Sequence, residues 1–108
     1  LRNQSLKAPG ILAAAGINVA IMSDHPEVPC QHLMLCAAVA AREGMKKEDA
    51  LKAVTINAAR SVRLEHRIGS LEVGKDADMA IYTGYPLEIM SKVKMTVISG
   101  KIIYDSDL

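Results

Sequence analysis

The chain has 108 residues, half of them apolar, a formal net charge of +1 and three aromatic side chains, all tyrosine. That length allows one domain at most and falls short of a complete α/β barrel, while the alanine and aliphatic content can still form a core, with Met as filler. Lys and Arg are scattered rather than gathered in a stripe, no apolar run reaches membrane length and no signal-peptide pattern opens the chain, so nucleic acid and membrane are set aside as partners.

Taken in order, Ala8 to Ala15 reads as a short helix with Pro9 in its first turn and Gly16 ending it in the left-handed position. Ile17 to Ser23 follows as an apolar run with no polar alternation, the pattern of a parallel strand buried on both faces. Pro26 and Pro29 hold Glu27 to Cys30 extended. Gln31 to Glu43 is helical and apolar nearly all round, as expected of a helix buried on several sides. Cys30 and Cys36 are too few and too loosely spaced for a disulfide framework or zinc knuckle, and are expected as small buried thiols in a reducing cytosol. A further helix starts near Lys47, with Glu48 and Asp49 at its positive end, kinks at Thr55 acting as a new N-cap, and runs to about Val62. Beyond Arg67 the chain becomes β-rich and glycine-punctuated. Asp78 to Tyr82 is a strand, Pro86 to Met90 a helical turn, and Met95–Ile98 and Lys101–Tyr104 flank the two-residue hairpin signal Ser99-Gly100.

Chemistry concentrates at Ser23-Asp24-His25-Pro26. Loops after parallel strands are free to carry reactive groups, and Asp24 stands where the apolar run ends. Asp24 is therefore the candidate catalytic and metal-binding residue; the alternative from these residues alone is an Asx turn before Pro26. His25 is a candidate substrate contact or an exposed loop histidine. His32 is expected to be partly buried and structural, and His66 solvated. Glu27 reads as a surface charge, and Asp76 and Asp78 as turn-stabilising residues, since they lack the ligand count of a calcium site. A lone parallel strand needs neighbours that this chain does not supply. The chain also opens on Leu1, as an excerpt of a longer protein would.

Four blocks in order carry a resemblance: Ala15-Gly16-Ile17-Asn18-Val19-Ala20-Ile21-Met22-Ser23-Asp24-His25-Pro26; Asp49-Ala50-Leu51 through Thr55-Ile56-Asn57-Ala58-Ala59-Arg60; Ile68-Gly69-Ser70-Leu71-Glu72-Val73-Gly74-Lys75-Asp76-Ala77-Asp78; and Val97-Ile98-Ser99-Gly100-Lys101. Together they resemble the C-terminal portion of a metal-dependent hydrolase of the amidohydrolase superfamily, in its imidazolonepropionase-like group. The resemblance implies an α/β fold, the end of a (β/α)₈ TIM barrel plus part of a small β-sandwich, with the fragment alone mixed α+β. It implies residues 1–66 as the last barrel strand and its helices, and 67–108 as the C-terminal share of the sandwich.

The same resemblance implies hydrolysis of an amide or cyclic amide C–N bond. Asp24 matches the aspartate of the family's last strand, which contacts a divalent metal, zinc foremost, and shuttles a proton. The histidines of that site match nothing in this chain. The expectations are thus a small-molecule substrate, a cytoplasmic enzyme, and a homo-oligomer or association with a missing N-terminal part. The isolated chain is expected to be inactive. The alternative is a non-catalytic piece that self-associates as a structural or interaction domain.

Overall fold

The computed structural model describes residues 5–108. Four short helices are followed by three strands: α1 (Ala8–Ala14), α2 (Leu33–Arg42), α3 (Lys47–Ala53), α4 (Ile56–Ser61), β1 (Met79–Tyr82), β2 (Val93–Ile98) and β3 (Lys101–Asp105). The fold is a small mixed α+β arrangement.

The helical half closes on methyl groups. Ala37, Ala50 and Ala53 are fully buried, joined by Ala40 and Met45, with Val19, Ile21, Met34, Val54 and Leu87 packed around them. Side chains this small let α2 and α3 approach closely. Pro9 occupies the first turn of α1, where its missing N–H is no loss. Gly10 shows how near that helix lies to the α2–α3 turn: a Cβ there would stand 2.9 Å from the Met45 nitrogen. Gly16 and Gly44, with φ of +84° and +113°, follow α1 and α2 in the conformation only glycine adopts cheaply.

The helix break falls at Thr55, as the sequence suggests, and Thr55 stands at the N-cap of α4, though without a side-chain capping bond. The Thr55 hydroxyl donates backwards to the Leu51 carbonyl at 2.7 Å, and its backbone (φ −129°, ψ −102°) belongs to neither helix. Thr55 therefore joins the two helices, its hydroxyl tied back to α3 while its carbonyl accepts the Ala59 N–H of α4 at 3.0 Å.

β1, β2 and β3 form one antiparallel sheet in that order. Ser99 and Gly100 link β2 to β3 with φ of 51° and 79°, the sign at both positions that a type I′ hairpin turn demands. The Asp78 carboxylate accepts the Ser99 N–H at 2.8 Å, so Asp78 stabilises a turn, though one 21 residues away. Asp76 pairs with Arg67 at 2.8 Å. The sheet itself buries little. Val97 is its single buried residue, whereas Ile102, Ile103 and Tyr104 are 57%, 60% and 50% exposed.

Several expectations are corrected. Ile17 to Ser23 forms no strand, because among the described residues nothing lies alongside it to make a ladder. Of Glu27 to Cys30, expected to be extended, Glu27 is turn, Val28 a bend and Cys30 the start of a 3₁₀ turn, and only Pro29 (φ −52°, ψ 137°) is extended. α2 starts only at Leu33, after a 3₁₀ turn over Cys30–His32, and only Ala37 and Ala40 of it are buried. Cys30 is exposed and Cys36 half-buried; His32 is likewise exposed, since the 3₁₀ turn holds Cys30 and His32 outside the alanine core. Pro86 to Met90 makes successive turns rather than a helical one, closed by Glu88 N–H to the Tyr85 carbonyl and Ser91 N–H to the Glu88 carbonyl.

Candidate active site

Burial along residues 18–23 has a period of two. Val19, Ile21 and Ser23 are half-buried, while Asn18, Ala20 and Met22 are exposed. Val19 and Ile21 pack on the alanine core; Met22 is 74% exposed. A segment with this alternation has one face on the helices and the other open. Two bonds fix it to the helix break instead of to a strand. The Ile21 N–H donates to the Ala53 carbonyl at 3.0 Å, and the Asn57 side-chain amide donates to the Val19 carbonyl at 3.1 Å.

Asp24 ends this segment with φ of +55°, a left-handed conformation that Asp tolerates better than most residues. The turn that follows is closed through main-chain carbonyls: Glu27 N–H donates to the Asp24 carbonyl at 2.8 Å and Val28 N–H to that of Ser23 at 3.3 Å. The Asp24 carboxylate takes no part in closing it, which removes the Asx-turn alternative and leaves both oxygens at an exposed position.

His25 is joined to Pro26 by a cis peptide bond. Its Nδ1 accepts the Cys30 N–H at 3.0 Å, so the ring is held across the loop and its hydrogen resides on Nε2. A ring held this way presents an N–H donor, suited to a substrate oxygen rather than to a metal. His32 and His66 are exposed and remote in sequence, and neither joins a ligand set with Asp24: among the described residues no group of three or more His, Cys, Asp or Glu is placed to hold a metal ion. These residues alone do not make a metal centre.

Two clefts lie elsewhere. One of about 780 Å³ runs between the helices and β1, lined by apolar side chains including Leu51, Val54, Val62, Ile68 and Met79. A second, of about 580 Å³, is polar and includes Asn18, Asp49, Lys52, Asn57 and Arg60. Neither contains Asp24 or His25. Sequence reasoning passed over Asn57. The break at Thr55 signals a tie to the preceding segment, since it frees the Ala53 carbonyl that the Ile21 N–H takes, but it does not single out Asn57.

Residues 1–103 match the model of the amidohydrolase family, and the chain belongs to that family. Among curated relatives it is similar to the imidazolonepropionase of Maricaulis maris, 35% identical over 106 residues, covering 94% of this chain and 26% of that protein. The imidazolonepropionase of Picrophilus torridus is 37% identical over 98 residues, covering 83% of this chain and 25% of that protein. An amidohydrolase from Thermotoga maritima superposes with a TM-score of 0.93 at 38% identity, over 97% of this chain and 27% of that one. A Xaa-Pro dipeptidase with bound methionine shares the fold, with a TM-score of 0.79 at 23% identity, over 94% of this chain and 25% of that one. The chain thus spans about a quarter of the proteins it resembles.

Proposed function

We propose that this chain is the C-terminal quarter of a metal-dependent amidohydrolase that cleaves the C–N bond of a cyclic amide, with Asp24 as its acid–base carboxylate. One observation carries the reading. Asp24 ends an apolar segment whose opposite face is already packed on helices, and its carboxylate is not consumed by the local turn. On this reading, residues 1–66 are the last stave of a (β/α)₈ barrel with its outer helices, and 67–108 the C-terminal strands of a small β-sandwich. The exposed face of Ala20 and Met22 then looks into the barrel.

In the intact enzyme a divalent metal, zinc foremost, supplies Lewis acidity, with its remaining ligands drawn from the other three quarters of the protein. Asp24 accepts the proton of the attacking water and, now as the carboxylic acid, gives it to the departing nitrogen; one group serves both steps because the second restores the carboxylate. His25, its Nδ1 held by the Cys30 N–H, offers Nε2–H to a substrate oxygen. The imidazolonepropionase relatives favour an imidazolone-like ring as substrate. The setting we propose is cytoplasmic.

The test uses the full-length gene product. Metal content is measured, and hydrolysis of imidazolone and hydantoin rings is followed by loss of ring absorbance. Asp24→Asn is expected to lower kcat by about 10²–10⁴-fold, the range for losing a general acid–base group. Undiminished turnover by that variant would remove Asp24 from the chemistry. The 108-residue chain assayed alone is expected to be inactive. The exposed sheet residues Ile102, Ile103 and Tyr104 favour a second reading, a non-catalytic piece that self-associates. Sedimentation of the chain as a defined oligomer, with no hydrolysis by the full-length protein, would select it.

A further inference from the structure

We infer that Asn57 is a positioning residue for Asp24: it ties the Asp24-bearing segment to the helix break at Thr55. The inference rests on the proposed role of Asp24.

Four contacts converge. The Asn57 amide nitrogen donates to the Val19 carbonyl at 3.1 Å. The Asn18 amide nitrogen donates to the Asn57 main-chain carbonyl at 3.2 Å, so the segment and the helix are bonded in both directions. Arg60 donates to the Asn57 side-chain oxygen at 3.1 Å, which fixes the orientation of the amide and aims its nitrogen at Val19. Two residues further along, the Ile21 N–H is taken by the carbonyl of Ala53, the last residue of α3.

In an extended chain, the main-chain groups of residues i and i+2 point to the same edge. Val19 and Ile21 therefore use one edge, and both of the bonds made there go to the break between α3 and α4. A continuous helix could not do this, because the Ala53 carbonyl would be bonded four residues ahead within the helix. Nothing in this arrangement touches Asp24 directly. Its effect is on where the segment ends, and a displacement of about 1 Å at a reacting group costs about 10²-fold in rate.

Asn57→Asp tests this in the full-length protein. It keeps size and the Arg60 contact but replaces the donor to Val19 with an acceptor, and Asn57→Gln keeps the amide at a changed reach. Two readouts are taken on folded protein: kcat and KM separately, and hydrogen exchange by mass spectrometry in the peptide covering residues 17–24. Expected in Asn57→Asp is a fall in kcat of about tenfold or more with KM changed less than threefold. Exchange in that peptide should quicken, while peptides over β1 to β3 stay as in the parent. A partial return of kcat in Asn57→Gln is expected. Unchanged exchange in residues 17–24 overturns the clamp, and faster exchange with unchanged kcat overturns its link to Asp24. Asp24→Asn run in parallel separates this from the proposed function. If that variant keeps its turnover, the acid–base role is what fails, while the exchange result still decides whether Asn57 holds the segment.

Discussion

The helical half and the sheet half are stabilised by opposite means. The helices bury Ala37, Ala50 and Ala53 completely and bind the Asp24 segment through main-chain and amide bonds. The sheet is held by two antiparallel ladders, each with one register shift, yet buries only Val97. One half draws its order from close packing and the other from hydrogen bonds and turn geometry. Side-chain volume should therefore govern the first, and backbone conformation the second.

The largest effect is expected in the helical half and concerns chemistry rather than stability. Asp24→Asn should cost about 10²–10⁴-fold in kcat with the unfolding midpoint unmoved, because the Asp24 side chain is exposed and closes no turn. A midpoint that falls as well would show that the two are not separable there. Next is Gly69→Ala, at the join of the two halves. Gly69 has φ of +97°, and an added Cβ would lie 2.9 Å from the Ala59 Cβ and 3.0 Å from the Ile56 Cα. Crowding of that kind costs about 1–3 kcal/mol, read as a lower urea midpoint. Ala50→Leu should cost a similar amount by overfilling the alanine seam, whereas Ile103→Leu on the open sheet face should change stability by less than about 0.5 kcal/mol. Equal losses at Ala50 and Ile103 would erase the contrast between the halves.

Smaller effects belong to the turn that precedes β1. Arg67→Ala removes an ion pair whose partners are 61% and 32% exposed, and should cost no more than about 1 kcal/mol. Glu72 has its carboxyl held below the usual value by the hydrogen bond from Lys75, then by that from Ser70 and by the Lys75 charge. A depressed carboxyl stabilises the fold above its unfolded value and loses that contribution as pH falls through its folded one. Unfolding followed from pH 6 down into the acid range should therefore show a small loss below about pH 4.5 that Glu72→Gln lacks. Cys30, being exposed, should react with a thiol reagent well before Cys36.

Local signals were read correctly wherever they were self-contained. Pro9 and Gly16 bracket α1, Thr55 marks the break, and Ser99-Gly100 makes the hairpin, because each depends on backbone preferences of one or two residues. The exposed position of Asp24 at the end of the apolar run was legible from the run itself. What could not be read was partnership. Ile17 to Ser23 carries the composition of a strand, yet a strand exists only beside another. Its bonds to Ala53 and Asn57 depend on contacts 32 and 38 residues away. The exposure of Cys30 and His32 was hidden for a related reason: an apolar stretch suggests burial, but the 3₁₀ turn sets both outside the core.

The hairpin carries one more consequence. Its tip is fastened not only within itself but to the approach of β1, since Gly100 donates to the Ala77 carbonyl at 3.0 Å and Ser99 to Asp78. At the opposite end, Thr83 N–H donates to the Lys92 carbonyl at 2.9 Å, and Lys92 N–H returns to the Thr83 hydroxyl at 3.0 Å. Strand alignment is thereby locked at both limits of the sheet, independently of the stretch from Gly84 to Ser91. That stretch is where added residues or a fused reporter can be accommodated without sliding one strand past another.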